Sequence, residues 1–559
     1  MTTSRSCWIR WIVAEVAAAA VLASFAIGFN LEGTGLASAR IDPVFSFRAM
    51  DESHYGHAAA RMVRTGSWAT AIYLDRFLLN KPPLLMWAGA ASMSLFGVSA
   101  FALRLPVVAA GALCCVLVYL WLRRSQPPVV ALAGIILLLG TPLFHVLSRT
   151  FMTDVLLTLF VVAAMFVLSM DTRLENRRAA AIFGVLSGAA IMTKSAAGVM
   201  LLLILLGYWV LSGKGRRPAL GRVVLACALA AAIAAPWHIY QLAVHRDWFL
   251  TEYLKVQLVG MGITGPAMTA GGVKLWFYLE SMVRIDPVLA VLCVSALPWL
   301  AMAWRRTDQT QARLLTVWIV IGCACLTAFG NRATYYLLPV LPALALIGAR
   351  FSPLLRGRAA FITCAVLIAA FGVKVRAADA MWGLDYRQGT VPSAPALDRY
   401  SRLRRANELV IVSPDDQYYS SVLDLPKVRY LYIVDSIDYS KTARFFYWLG
   451  IILPPNEFCA LPAGLPVYAD RLESWRAPDA SSVATVIMAR SVSEVADVIR
   501  CSPGRDFFLP EEFRKVGIEA AGPAHIAVAS ESHRFFLLSR SSGRRSGNAP
   551  ALGAIVLNR

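Results

Sequence analysis

The sequence predicts a polytopic α-helical membrane protein of about 11–13 transmembrane helices, followed by a soluble α/β domain. Three observations predict it. Of 559 residues, 58% are hydrophobic and only 16% charged, whereas soluble proteins have about 45–50% apolar and 25% charged residues. Mean hydropathy is accordingly high, at +0.59. Apolar runs long enough to cross a layer of about 30 Å recur as far as Val375 and then stop. Finally, the basic residues between these runs alternate in a way that gives the runs a common orientation.

The runs are Trp8 to Phe29, Arg104 to Leu122, Val129 to Leu147, Phe151 to Met170, Ala179 to Met192, Ala197 to Leu211, Val223 to Tyr240, Pro287 to Trp304, Leu315 to Phe329, Thr334 to Ala349 and Ala359 to Val375. A shorter stretch, Leu84 to Val98, follows Pro82-Pro83. It reads as a span, a re-entrant piece or an interfacial helix, and its length favours the last. The first run is long for a signal-peptide core, so it reads as an anchor even though Ala37-Ser38-Ala39 resembles a cleavage site.

With the N-terminus in the cytoplasm, Arg123 and Arg124, then Arg173, Arg177 and Arg178, then Lys214, Arg216, Arg217 and Arg222 share one side. Arg305, Arg306, Arg313, Arg350, Arg356 and Arg358 join them. Short basic loops belong in the cytoplasm, so the net charge of +20 expresses orientation. A nucleic-acid partner is not expected, because the charge is spread over loops and forms no patch with interleaved aromatics. The same threading sends 30–103, 241–286 and everything beyond Val375 to the outer face.

Seven of the ten cysteines lie within spans, where they act as small hydrophobes. Cys459 and Cys501 fall in the outer tail, where an oxidising compartment permits but does not require their pairing. The segment 376–540 reads as the α/β domain. Strand-like stretches at Glu408 to Ser413, Val428 to Val434, Val483 to Ala489, His525 to Ala529 and Phe535 to Ser539 accompany a helical pattern at Val492 to Arg500. Residues 541–559, rich in Ser, Gly and Arg at their start, read as a disordered tail.

Polar groups near the outer boundary are the candidates for chemistry. Asp51-Glu52 stands beside the first span, and two adjacent carboxylates there either face water or serve a site. Lys81 begins an apolar stretch behind Pro82-Pro83. It suits a lipid phosphate, although a lysine snorkelling at a helix end would carry the same charge. Asp154 interrupts an otherwise apolar run, with Arg149 just before it, so a site role competes with simple pairing. Lys194 separates two apolar runs, and Arg332, Tyr335 and Tyr336 stand at another outer boundary, where aromatic belts are ordinary. Cations and carboxylates beside an amphiphile-sized gap imply a phosphate leaving group and an acceptor hydroxyl to be deprotonated. No spaced His/Cys metal signature, phosphate loop or dinucleotide fingerprint occurs in the sequence.

The order of these pieces resembles the GT-C glycosyltransferases related to protein O-mannosyltransferases and to the aminoarabinose transferases of lipid A. The matching segments are Asp51-Glu52-Ser53-His54-Tyr55, Gly66-Ser67-Trp68, Lys81-Pro82-Pro83-Leu84-Leu85-Met86-Trp87 and Phe96-Gly97. Thr153-Asp154, Thr193-Lys194, Pro236-Trp237 and Tyr336-Leu337-Leu338-Pro339-Val340-Leu341-Pro342 follow in order, over about residues 8–350. The resemblance implies transfer of a sugar from a polyprenyl-phosphate donor, usually with inversion, to a glycan, lipid or protein acceptor at the outer face of the bilayer.

On that resemblance Asp51 is the general base, Glu52 its support and Asp154 a further acidic residue. Lys81 and Lys194 hold the donor phosphate, with Arg149 and Arg332 as additional cations, while His54, Tyr55, Tyr335 and Tyr336 line the substrate pocket. Asn80 stands where the aminoarabinose transferases usually carry glutamate, Gln257 is nearest in register to their outer-loop histidine, and His54 replaces an arginine. The first two positions are associated with metal in that subfamily, so this sequence implies a metal-free site without a cofactor. Transfer to protein is the alternative acceptor reading. A transporter or flippase is the non-enzymatic one, against which no internal repeat is visible.

Overall fold

The computed structural model describes residues 15–24, 50–73, 76–213, 215–264, 276–305, 310–329, 332–390, 409–413, 428–433, 451–453, 459, 485–489, 492–501, 505–510, 513–522, 525–529 and 535–540. Both ends of the first expected span, residues 30–49, Lys214, Arg306 and the tail 541–559 lie outside the described residues. The chain divides into a membrane unit, comprising Met1–Gly35, Ala59–Ala71 and Leu78–Asp385, and a second unit, comprising Leu36–Ala58, Ile72–Phe77 and Tyr386–Arg559.

Helices α1 (Glu15–Ser24), α2 (Met50–Thr65) and α3 (Leu84–Phe96) come first. In α4 (Ala100–Arg123), the side chain of Ser99 accepts the Ala102 N–H at 3.2 Å and caps the N-terminus. The expected span Val129 to Leu147 divides into α5 (Pro128–Leu139) and α6 (Pro142–Leu147). Pro142 explains the break: it has no N–H to continue the ladder but suits the first turn of a new helix. Then come α7 (Thr153–Met170), α8 (Arg177–Leu211), α9 (Leu220–Val244) and the single turn α10 (Arg246–Phe249). A π-helical stretch, Leu250–Thr264, continues from α10. The rest of the bundle is α11 (Phe277–Ile285), α12 (Pro287–Arg305), α13 (Thr310–Ala328), a 3-10 stretch Thr334–Val340, α14 (Leu341–Phe351) and α15 (Gly357–Thr390). Among the described residues, eight helices are long and apolar enough to cross a membrane.

The apolar helices are buried to very different degrees. In their most apolar stretches, 78% of Thr334–Phe351 and 67% of α4 and α7 is buried, against 22% of α9 and 17% of Gly357–Lys374. The first group therefore forms the protein-packed centre, with α4 against α3, α5 and α7 and α14 against α5 and α12. The second group presents side chains such as Val224, Ile239, Phe361 and Ile362 outward, as helices do when hydrocarbon is their solvent.

Helix α8 is a hairpin. Lys194 (φ −147°, ψ 49°) and Ser195 (φ 40°, ψ −120°) leave helical geometry in its middle. A Cβ placed on Gly198 would lie 2.3 Å from the backbone of Ala190 and Ile191, although residues eight apart in a straight helix are separated by about 12 Å. The first limb runs parallel to α9, with Gly184 against Ala226 and Gly188 against Ala230 and Ile233. Arg222 at the start of α9 donates to the Glu175 carbonyl at 3.4 Å, returning the chain to the end where α8 began. Three passes thus occur where the sequence predicts Ala179 to Met192, Ala197 to Leu211 and Val223 to Tyr240.

The two ends of the bundle differ in chemistry. At one end Arg124 donates to the Ser169 side chain at 2.9 Å, Gln311 to the Ser169 carbonyl at 2.9 Å, and Arg350 to Ser125. These groups are brought together from α4, α7, α13 and α14. At the other end Lys374 of α15 meets Asp286, just before α12, at 2.7 Å, and Thr141 donates to the same carboxylate at 3.1 Å. Asp286 also accepts the Leu289 N–H at 3.0 Å, which caps α12. With side chains 1% and 15% exposed, this is a buried ion pair, and losing either partner would strand the other's charge.

In the second unit, β1 (Ile72–Tyr73) and β2 (Arg76–Phe77) form a short antiparallel pair. A seven-stranded sheet is built from β3 (Leu409–Ser413), β4 (Val428–Ile433), β5 (Ile451–Leu453), β6 (Thr485–Ala489), β7 (Asp506–Pro510), β8 (His525–Ala529) and β9 (Phe535–Arg540). Its order is β5-β6-β4-β3-β7-β9-β8; the strands from β5 to β7 are parallel, and β9 is antiparallel to both β7 and β8. Helices α16 (Val492–Arg500) and α17 (Arg514–Ala521) accompany it. Val495, Val498, Ile499, Phe507, Leu509, Phe513 and Leu538 make a common apolar core. The sulfurs of Cys459 and Cys501 are bonded, with Cα atoms 5.5 Å apart.

A side chain at Gly198 would collide with backbone, which no rotamer change relieves. Gly198→Val is expected to cost about 3 kcal/mol, the upper part of the overpacking range, whereas Gly221→Val, where nothing lies within 4 Å, costs far less. Thermal unfolding of the two variants in the same detergent checks this.

Candidate active site

The tip of the α8 hairpin carries Lys194 into the neighbourhood of α7. Its ammonium meets Asp154 Oδ1 at 2.6 Å, and the two side chains are 14% and 2% exposed. Thr153 donates to the other carboxylate oxygen at 3.4 Å. Asp154 lies in the first turn of α7, where the helix dipole favours a negative charge. The same ammonium lies 4.5 Å from the centre of the Tyr336 ring and 5.5 Å from that of Tyr335, within range of cation–π attraction. The two rings meet edge to face at 4.8 Å.

Lys81 is placed by a second set of contacts. Three side chains pin the loop between α2 and β1: the Trp87 indole donates to the Trp68 carbonyl at 2.7 Å, and Trp237 and the Gln241 amide both donate to the Ala69 carbonyl, at 3.1 and 2.8 Å. Further on, Leu78 N–H donates to the Ala71 carbonyl at 2.8 Å, and Leu79 N–H donates to Glu252 Oε2 at 3.0 Å. Glu252, on the π-helical stretch, is itself buried. Pro82 and Pro83 then restrict the backbone between Lys81 and α3.

The π-helical stretch is tied to α9 through Tyr253. His238 Nδ1 lies 2.8 Å from the Ala234 carbonyl and Nε2 lies 2.7 Å from the Tyr253 hydroxyl. The carbonyl can only accept, so Nδ1 carries the proton and the phenol donates to Nε2. Burial pushes the Tyr253 phenol up, which keeps its hydroxyl a donor. Stacking on Phe249 at 4.7 Å adds to the anchor.

These elements line a cavity that is open on one side. Lys81, Asp154, Lys194, Ser195, Gln257 and Tyr336 supply its polar lining, while Leu157, Met200, Leu326 and Phe329 are among the apolar side chains that complete it. A phosphate beside the ammoniums and a hydrocarbon chain along the apolar wall would both be accommodated chemically.

Of the residues expected from the sequence, Lys81, Asp154, Lys194 and Tyr336 meet at this cavity, and Tyr335 touches it through Lys194. Arg149 and Arg332 do not line it. Arg149 is buried with its guanidinium 3.4 Å from His145 Nε2, and Arg332 donates to the Thr327 carbonyl at 2.9 Å. Asp51, Glu52, His54 and Tyr55 occupy the first turns of α2, in the second unit. Asp51 is partly exposed, whereas Glu52, His54 and Tyr55 are buried. Sequence reasoning missed Glu252 and the His238–Tyr253 pair. A glutamate in a long segment between apolar helices carries no signal until the fold lays it against Leu79.

The chain is similar to known glycosyltransferases in sequence over part of its length, and to one of them in fold. The family described as dolichyl-phosphate-mannose-protein mannosyltransferase matches residues 80–240. The undecaprenyl phosphate-alpha-4-amino-4-deoxy-L-arabinose arabinosyl transferase of Yersinia pestis is 25% identical over 323 residues, 54% of each chain. The Erwinia tasmaniensis enzyme of the same name is 27% identical over 357 residues, 60% of this chain and 62% of its own. The chain thus spans a little over half the length of these curated relatives. Among solved structures, ArnT from Cupriavidus metallidurans bound to undecaprenyl phosphate superposes with a TM-score of 0.61 at 16% identity, covering 95% of this chain and 98% of that one. That likeness concerns the fold.

His245, just beyond α9, lies with Nε2 3.2 Å from the Thr70 hydroxyl, and burial pushes its imidazole down. Folding therefore favours the neutral ring. Its effect on stability is absent above about pH 6.5 and becomes destabilising as pH falls below that value, where the unfolded chain takes the proton more readily. Between pH 8 and pH 5, the melting temperature of wild-type protein is expected to fall further than that of His245→Gln.

Proposed function

We propose that this chain transfers a sugar from a polyprenyl-phosphate donor to an acceptor hydroxyl on the periplasmic face of a bacterial inner membrane. The observation that carries the proposal is the meeting of Lys81, Lys194 and Asp154 at the polar part of a cavity otherwise walled by apolar side chains. Two ammoniums suit one phosphate, and the apolar wall suits the prenyl chain. The names of the curated relatives agree with such a donor, and the basic loops support a cytoplasmic position for the opposite end of the bundle.

In this reaction the acceptor oxygen attacks the anomeric carbon while the bond from that carbon to the phosphate oxygen breaks. The electron pair of the breaking bond leaves with polyprenyl phosphate, and the hydroxyl proton passes to a carboxylate, for which Asp51 is the proposed base with Glu52 as its support. Attack from the side opposite the phosphate inverts the anomeric centre. Lys81 and Lys194 stabilise charge that grows on the phosphate as the bond lengthens. Asp154 and the tyrosine rings hold Lys194 in place before the donor arrives.

The acceptor is an envelope glycan, a lipid or a protein. The match to a protein mannosyltransferase family over residues 80–240 favours the protein reading as the second one. Loss of glycosylated exported protein on deletion would distinguish it from an altered envelope polysaccharide or lipid.

Asp51→Asn is expected to abolish transfer in membranes supplied with donor while donor binding survives; retained transfer would remove Asp51 as the base. Lys194→Met is expected to lower kcat/KM by roughly 30- to 1000-fold, the effect of losing about 2–4 kcal/mol of transition-state stabilisation. Steady-state kinetics on reconstituted protein measures it, and a change below threefold would remove Lys194 from the phosphate site.

A further inference from the structure

We propose that the basic end of the bundle carries a binding site for one anionic phospholipid, centred on Arg356 where that arginine stacks on Trp299. α14 finishes at this end, where Arg350 donates to Ser125. The 3-10 turn Pro353–Leu355 then leads through Arg356 into α15. α12 finishes at the same end, because Gln311, at the start of the next helix, donates to the Ser169 carbonyl. The site lies at the opposite end of the bundle from Lys194 and Asp154 and does not depend on the glycosyl-transfer reading.

The Arg356 guanidinium lies 4.1 Å from the centre of the Trp299 ring, close enough for cation–π attraction. Stacking uses the flat face of the guanidinium. Its edge, where the N–H donors point, stays available to a planar bidentate partner such as a phosphate. Among the described residues, no side-chain hydrogen bond or ion pair takes these donors. Two other arginine–tryptophan pairs at this end are built differently. Arg313 lies 5.9 Å from Trp304 and spends its Nε and Nη2 hydrogens on the Trp304 carbonyl. Arg217 lies 4.4 Å from Trp209, whose indole donates to the Pro218 carbonyl, so that pair closes a loop on itself. Arg356 instead joins α12 to the start of α15, and its side chain is exposed.

Beyond Arg356, the residues Arg358, Phe361, Ile362 and Ala365 are exposed at helical spacing along α15. A cation thus heads an apolar stripe, which is the order of headgroup and acyl chain in a phospholipid. Only 28% of α12 and 17% of Gly357–Lys374 is buried in their most apolar stretches, so the stripe continues a surface that already faces hydrocarbon. An indole suits the boundary between hydrocarbon and headgroups. Two arginines at headgroup depth favour a lipid with a net negative charge over a zwitterionic one, roughly fivefold for each cation. Bound there, the lipid secures the start of α15, as the Lys374–Asp286 pair secures the helix further on.

Native mass spectrometry of the full chain tests this, with protein released from nanodiscs that hold phosphatidylglycerol and phosphatidylcholine in equal amounts and with the same acyl chains. Wild-type protein is expected to retain phosphatidylglycerol in preference, and Arg356→Gln to lower that preference roughly fivefold. Trp299→Leu lowers it too, although the charge is unchanged, because the guanidinium loses the face that orients it. Arg177→Gln removes one exposed positive charge from the same end and leaves the preference as it was. Thermal unfolding in lipid-free detergent confirms that the variants are folded. Equal retention of both lipids by wild type overturns the inference. So does an equal loss in Arg177→Gln, since a diffuse basic surface then suffices. Displacement of the lipid by inorganic phosphate also overturns it, because the occupant is then a soluble anion. Transfer activity is read separately, and none of these outcomes bears on Lys81 or Lys194.

Discussion

An ammonium carried into a bundle of apolar helices has to be met by an opposite charge, and the pairing of Lys194 with Asp154 is where this protein meets that demand. Much of the site's construction follows from it. The α8 hairpin must turn at Lys194, which brings Gly198 against the backbone of the other limb. α7 must start where its second residue can reach the turn. The Thr334–Val340 stretch must lay its two tyrosine rings over the same cation. The most buried part of the membrane unit, α4, α7 and the Thr334–Phe351 stretch, provides the rigid packing around these contacts.

Much of the bundle was legible in the sequence because hydrocarbon imposes one rule on every residue it touches. Apolar length and interrupting charge placed α4, α7, α9, α12 and α13 to within a few residues. The same rule separated the limbs of α8, since a lysine between two apolar runs marks a turn. The break between α5 and α6 falls at Gly140-Thr141-Pro142, inside a run whose apolar length alone predicts one span. α15 continues to Thr390, beyond the apolar limit at Val375, because a helix can outlast its hydrophobic stretch once it leaves the lipid. In the second unit, β3, β4, β6, β8, β9 and α16 coincide with the expected stretches. β5, with three residues, and β7, ending in proline, were too short or too atypical to register.

The site was legible where charge stands out against an apolar background, as with Lys81, Asp154 and Lys194. It was illegible where a polar residue sits among others like it, as with Glu252. The indoles of Trp87 and Trp237 belong to the recognised motifs, yet their task is mechanical: they hold the Trp68 and Ala69 carbonyls. Arg149 and Arg332 carry the expected charge but do not line the cavity, because position along a helix does not reveal which way a side chain is drawn.

Asp286 and Lys374 join the start of α12 to the middle of the last membrane helix, 88 positions apart in sequence. Strands β3 to β9 follow that helix in the chain. Any attempt to dissect the protein into separately expressed pieces therefore has a chemical boundary: a cut before residue 374 leaves a carboxylate sealed in the bundle without its counter-ion, whereas a cut beyond Thr390 keeps the pair on the membrane side.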